Sequence, residues 1–131
     1  PNNEFNVVDI MESQKEITNK WWTMRLGSYD AILSPNTKVW HLYREFNQID
    51  LAKNLVKERH RHRFEVNPNF HEILMENWLV FSGKSPDGKL VEFIELPEHR
   101  YFVATQAHPE FKSRLNRPHP LFLWFVQACV N

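Results

Sequence analysis

Two stretches of this chain carry side chains whose types and spacing suit chemistry. The first is His108-Pro109-Glu110. The proline biases His108 toward extended backbone, where residues i and i+2 face the same way. The Glu110 carboxylate can then orient the His108 imidazole, as the third member of a nucleophile, base and orienter set does. Taken alone, the tripeptide also reads as an ordinary surface turn. The second stretch is Glu58-Arg59-His60-Arg61-His62-Arg63-Phe64-Glu65. As a metal site it offers His60 and His62 on one face, with no third His or Cys at ligand spacing. As a nucleic-acid strand it has local charge without a basic balance behind it. As an edge strand it would use charge to discourage pairing. As a substrate site it offers arginines whose guanidinium matches a carboxylate bidentately. Cys129 sits in an apolar helical stretch with no base nearby in sequence, and reads as a core thiol rather than a nucleophile. A base and its orienter therefore stand without a nucleophile.

These residues need elements to hold them. Residues 24–33 read as a strand ending at Ser34-Pro35-Asn36, and Asn36 or Thr37 can cap a helix to about residue 46, with Val39, Leu42, Tyr43 and Phe46 at helical spacing. Residues 55–66 alternate as one strand. Val56, Glu58, His60, His62, Phe64 and Val66 share a face, and Lys57, Arg59, Arg61, Arg63 and Glu65 take the other. Asn67 can cap a helix with Pro68 in its first turn, running to about residue 77 with Phe70, Ile73 and Leu74 inward. Strands over 78–82 and 89–96 flank the turn signal Pro86-Asp87-Gly88, and 101–106 is a third run rich in β-formers. A last helix covers about 120–130. The sum is a mixed α/β architecture with an antiparallel hairpin.

Composition bounds the function. With 131 residues, 42% hydrophobic and 14% aromatic, the chain suits one packed unit rather than a disordered segment or an array. Sixteen basic and sixteen acidic side chains cancel, which argues against a nucleic-acid partner. A single cysteine makes no internal disulfide, and no leader or apolar run of about 18 residues is present, so a soluble cytoplasmic protein with no membrane partner is expected. The chain opens at Pro1 without methionine, as a fragment or processed product would. Glycine is scarce, 3 where average usage gives about nine, and 5 tryptophans are present.

Taken jointly, Lys57 to Asn67, Val91-Glu92-Phe93-Ile94-Glu95-Leu96-Pro97 and Phe102-Val103-Ala104-Thr105-Gln106-Ala107-His108-Pro109-Glu110-Phe111-Lys112-Ser113-Arg114 resemble the CTP synthase family. The likeness is to the C-terminal half of its class I glutamine amidotransferase domain. Thr23-Met24-Arg25-Leu26-Gly27 and Arg117-Pro118-His119-Pro120-Leu121-Phe122 fit the same family in the same order. The resemblance implies a partial flavodoxin-like (Rossmann-like) α/β domain over 1–131, with the nucleophile-bearing half and the synthase domain absent. That family hydrolyses L-glutamine with a Cys–His–Glu triad and passes ammonia to a separate synthase domain, where ATP activates UTP for amination to CTP. The resemblance makes His108 the general base, Glu110 its orienting carboxylate, Arg63 the partner of the glutamine α-carboxylate and Glu4 the acceptor for its ammonium. Thr23 and Arg25 fall in a segment implicated in the response to GTP. It also implies ATP and magnesium sites in the missing domain, no cofactor on this piece, a homotetrameric parent, and an isolated piece without activity. A non-catalytic remnant that keeps the fold is the competing reading.

The tryptophan excess then acquires positions. Trp21, Trp22, Trp78 and Trp124 stand where the resembled family has glycine. Reading all four as glycine returns both counts to ordinary usage, so the expectation is a codon that the source decodes as glycine. Ala107 stands where many relatives have phenylalanine.

Overall fold

The computed structural model describes residues 5–10 and 24–130. Glu4, Trp21, Trp22 and Thr23 lie outside the described residues. The main sheet has, in spatial order, β3 (Leu55–His62), β2 (Arg25–Leu33), β5 (Val80–Lys84), β6 (Val91–Glu95) and β7 (Val103–Thr105). A smaller sheet pairs β1 (Val8–Ile10) with β4 (Phe64–Val66). Among the described residues every strand pairing is antiparallel. The helices are α1 (Lys38–Glu45), α2 (His71–Glu76) and α3 (Pro120–Val130), with single 3-10 turns at Pro68–Phe70 and Pro109–Phe111. This is the mixed α/β architecture with a β5–β6 hairpin that the sequence predicts. No helix among the described residues is long and apolar enough to cross a membrane.

Helix α1 forms where its capping residues allow. Thr37 Oγ1 accepts from the Trp40 N–H at 3.2 Å. The Glu95 carboxylate, reaching from β6, accepts from the N–H groups of Lys38 at 2.9 Å and Val39 at 3.0 Å. A negative charge thus meets the orphan donors and positive dipole end of the helix. Val39, Leu42 and Tyr43 then pack on Ala31 and Leu33 of β2, Val56 of β3, Phe93 of β6 and Leu121 of α3. Gly83 is required by this packing. A Cβ there would meet Phe93 Cδ2 at 2.6 Å and Leu33 Cδ2 at 2.9 Å.

The expected single strand over 55–66 is two strands. Through β3 the alternation holds, with Val56, Glu58 and His60 buried and their neighbours exposed. At Arg63 the ladder breaks and the parity slips by one, so Phe64 is exposed and Glu65 is buried. The reason is pairing. β3 lies on β2 with His62 opposite Arg25, whereas β4 lies on β1 with Phe64 opposite Ile10.

The helix expected over 67–77 is a 3-10 turn followed by α2. Asn67 does cap it, accepting from the Asn69 N–H at 3.1 Å. The inward placement of Ile73 is not observed. Ile73 is exposed and α2 buries none of its residues, because this short helix rides on the surface. The following strand begins at Val80 rather than residue 78, since Trp78 and Leu79 close the helix. Trp78 N–H donates to Met75 O and Leu79 N–H to Leu74 O, both at 3.2 Å. These are the two bonds of a Schellman closure, whose left-handed position is ordinarily glycine. Trp78 takes that position with φ of 72° and is 81% exposed. Replacing Trp78 with glycine is expected to stabilise the protein by about 1 kcal/mol, because it relieves the left-handed Cβ conflict while sacrificing little burial. Chemical denaturation of the two forms checks this, and an equal or lower midpoint for Trp78→Gly would refute it. Trp124 differs. It packs against the core and meets the Tyr101 ring edge-on at 4.8 Å.

Cys129 is not the core thiol expected of it. It is exposed, because α3 fully buries only Pro120 and Leu121 in its first turn and Cys129 lies on its uncovered side near the end.

Candidate functional site

The His108-Pro109-Glu110 segment leaves β7 and enters the second 3-10 turn. His108 is extended, with φ of −111° and ψ of 83°, as a residue before proline should be. Its N–H donates to Arg59 O of β3 at 2.7 Å. One turn of 3-10 helix then brings Glu110 back beneath the ring, and His108 Nδ1 lies 2.6 Å from Glu110 Oε1. The hydrogen bond from His108 holds the Glu110 carboxyl below its usual range, so it is ionised at neutral pH and accepts. Nδ1 is therefore the donor, and in the neutral imidazole Nε2 is left as the acceptor. Phe111 stacks on the imidazole with centroids 5.3 Å apart and planes 22° from parallel. The dyad is open, with the two side chains 35% and 52% exposed. It can take a proton from a group presented to it and return that proton later.

An open cavity of about 500 Å³ shares Phe111 with the dyad and is lined by Met24, Leu26, Arg59, His60, Arg61 and Arg114 besides. Among the described residues no group of His, Cys, Asp and Glu side chains is arranged to hold a metal ion. Arg63 is half-buried at the break between β3 and β4.

Arg25 is buried. Its guanidinium donates to Glu65 Oε1 at 3.1 Å and to Glu92 Oε1 at 2.7 Å, and stacks over the Tyr29 ring at 4.5 Å. Burial alone would lower the guanidinium pKa, but bonding to Glu92 and Glu65 outweighs it and raises it. Burial pushes both carboxyls up, since one guanidinium cannot neutralise two. Beside them, His60 Nδ1 lies 2.9 Å from His62 Nε2, and His62 Nδ1 lies 3.0 Å from Phe64 O. A carbonyl can only accept, so His62 Nδ1 donates and His60 Nδ1 donates in turn. The sequence pattern missed this buried network and a second one around Glu58, whose Oε1 meets Tyr43, His119 and Lys112. The available signal was a carboxylate sharing the inward face with Val56, which must find partners.

Burial, and after it the charges of Arg25 and His62, push the His60 imidazole down to about 3, with Glu58 opposing. In the unfolded chain it titrates near 6.5, so between these values the unfolded state binds the extra proton. Stability from His60 is therefore complete above pH 6.5 and falls as the pH drops through that window, by about 1.4 kcal/mol per unit. Chemical denaturation at pH 7 and pH 5.5 is expected to show a larger acid loss for the parent than for His60→Gln. Equal losses would refute it.

With this geometry in place, the comparisons fix the class. The family profile described as "Glutamine amidotransferase class-I" matches residues 6–128, and the chain belongs to that family. Within it, the chain is similar to CTP synthases. It is 55% identical over 128 residues to the CTP synthase of Methanococcus maripaludis, a match that takes in 98% of this chain and 22% of that one. It is 56% identical over 130 residues to that of Methanocaldococcus jannaschii, across 99% of this chain and 23% of that one. The solved structure titled "Trypanosoma brucei CTPS - glutaminase domain with bound acivicin" superposes with a TM-score of 0.77 at 34% identity, over 93% of this chain and 45% of that chain. The fold is thus part of a class I amidotransferase domain. The chain spans about a fifth of the length of these curated relatives.

Proposed function

We propose that this chain is the base-bearing half of the glutamine amidotransferase domain of a CTP synthase, whose full-length form hydrolyses glutamine and uses the ammonia to aminate UTP. The observation that carries this reading is the 2.6 Å contact between His108 Nδ1 and Glu110 Oε1, which leaves Nε2 free to accept a proton. The chain's single cysteine, Cys129, lies on α3, so the nucleophile is assigned to a segment outside this chain. His108 takes the thiol proton as the thiolate attacks the carboxamide carbon, then gives it to the departing ammonia. The resulting thioester is hydrolysed when His108 deprotonates water. Glu110 holds the imidazole and stabilises its cationic form.

Arg63 is assigned to the glutamine α-carboxylate and Glu4 to its ammonium, each charge meeting its opposite. Thr23 and Arg25 are assigned to the segment that responds to GTP. Arg25, committed to Glu65 and Glu92, serves there by holding the segment in place. ATP and magnesium belong to a separate synthase domain, and no residue of this chain is assigned to them. A cytoplasmic homotetramer is the proposed setting.

The full-length parent is expected to make CTP from UTP with either glutamine or free ammonia, and the 131-residue chain alone to release no ammonia from glutamine. A parent that uses ammonia only would overturn the reading, and glutaminase activity in the isolated chain would overturn the missing nucleophile.

A further inference from the structure

The segment from His108 to Lys112 is tied to three successive residues of β3. At its start, the His108 N–H donates to Arg59 O at 2.7 Å. At its end, Lys112 Nζ donates to Lys57 O at 2.5 Å and to Glu58 Oε1 at 2.8 Å. Glu110 hangs between these ties. A single 3-10 turn has few internal hydrogen bonds and imperfect geometry, and the Glu110 side chain is 52% exposed to competing water. The turn cannot fix the dyad on its own, so its far anchor matters.

That anchor is buried and multiply bonded. Glu58 is 1% exposed, and the oxygen that receives Lys112 also lies 3.0 Å from the Tyr43 hydroxyl of α1 and 3.1 Å from His119 Nε2. Tyr43 is itself fully buried, and His119, 2% exposed, stands just before α3. Burial would push the Glu58 carboxyl up, but hydrogen bonds from His119 and Lys112 outweigh it and hold it down, so it stays charged. Tyr43 of α1 and His119, just before α3, therefore converge on one oxygen atom, and that atom holds the end of the turn carrying Glu110.

We infer that Lys112 and Glu58 form a positioning pair that sets the His108–Glu110 geometry, an inference resting on the proposed role of His108 as base. Lys112 acts through the turn rather than on substrate. Its loss misaligns the base without weakening glutamine binding, which predicts an effect on kcat and not on KM.

The test uses the full-length enzyme. Lys112→Met keeps the aliphatic stem and is expected to lower glutamine-dependent kcat by about tenfold, with KM and ammonia-dependent turnover within about twofold. Lys112→Arg, which can reach the same two oxygens, is expected to recover most of the loss. Glutamine kcat within about twofold of the parent in Lys112→Met, a parallel loss of ammonia-dependent turnover, or failure of Lys112→Arg to recover would each overturn the inference. His108→Ala is assayed beside them. If it is dead with glutamine while Lys112→Met is normal, only the positioning pair fails; if it retains glutamine turnover, the reading of His108 fails.

Discussion

His108→Ala in the full-length protein is expected to lower glutamine-dependent CTP formation by about a thousandfold or more, with ammonia-dependent formation unchanged. A positioned general base contributes roughly a hundred- to ten-thousand-fold. His108 serves twice in the proposed cycle, first for the thiol and then for water, which places it toward the upper end. Free ammonia bypasses both steps. The comparison of nitrogen sources is therefore the decisive measurement, because damage to the fold would reach both. His108 is well suited to this isolation. Its side chain is 35% exposed, and its tie to β3 runs through the main-chain N–H that alanine retains. Equal loss with both nitrogen sources, or none with either, would sink the assignment.

Arg25→Met is expected to destabilise the protein by about 3–5 kcal/mol. The cost comes from what is left behind. The side chains of Glu65 and Glu92 are 3% and 1% exposed, and Arg25 is the cation whose donors reach both. Each already has a second oxygen without a hydrogen-bond partner among the described residues. Removing the guanidinium strands two buried carboxylates, whose desolvation nothing then offsets. Burial already pushes both carboxyls up, and losing Arg25 pushes them further. Protonation relieves the variant, so its deficit should shrink as the pH falls into the carboxylate range. Chemical denaturation at neutral and acid pH measures both effects. A loss below about 1 kcal/mol at pH 7, the size of a surface pair, would refute the buried-cation account.

The parts legible in the sequence were those set by near neighbours. The His108–Glu110 pairing was legible within three positions although its geometry was not: proline holds His108 extended, and the 3-10 turn over Pro109–Phe111, rather than an extended two-residue repeat, brings Glu110 to the ring. The helix over 38–45 announced itself through Thr37 and the spacing of Val39, Leu42 and Tyr43. The buried networks were not legible, because Glu58 finds Lys112 and His119 at separations of 54 and 61 residues, and Arg25 finds its carboxylates at 40 and 67. The slip at Arg63 was hidden for the same reason: it is imposed by β1, far away in the chain. Cys129 misled because helical apolarity reports that a face wants cover, not that it has received it. At Trp78, where the resembled family has glycine, the backbone takes the left-handed conformation that favours glycine in spite of the side chain.

Arg63 stands at the break between β3 and β4, on the seam between the large sheet and the small one. β3 belongs to the large sheet and β4 to the small one, while the His108 N–H donates to Arg59 O of β3. On the proposed reading, glutamine spans that seam, with its carboxylate held at the junction of the two sheets and its carboxamide presented to a base tied to the large one.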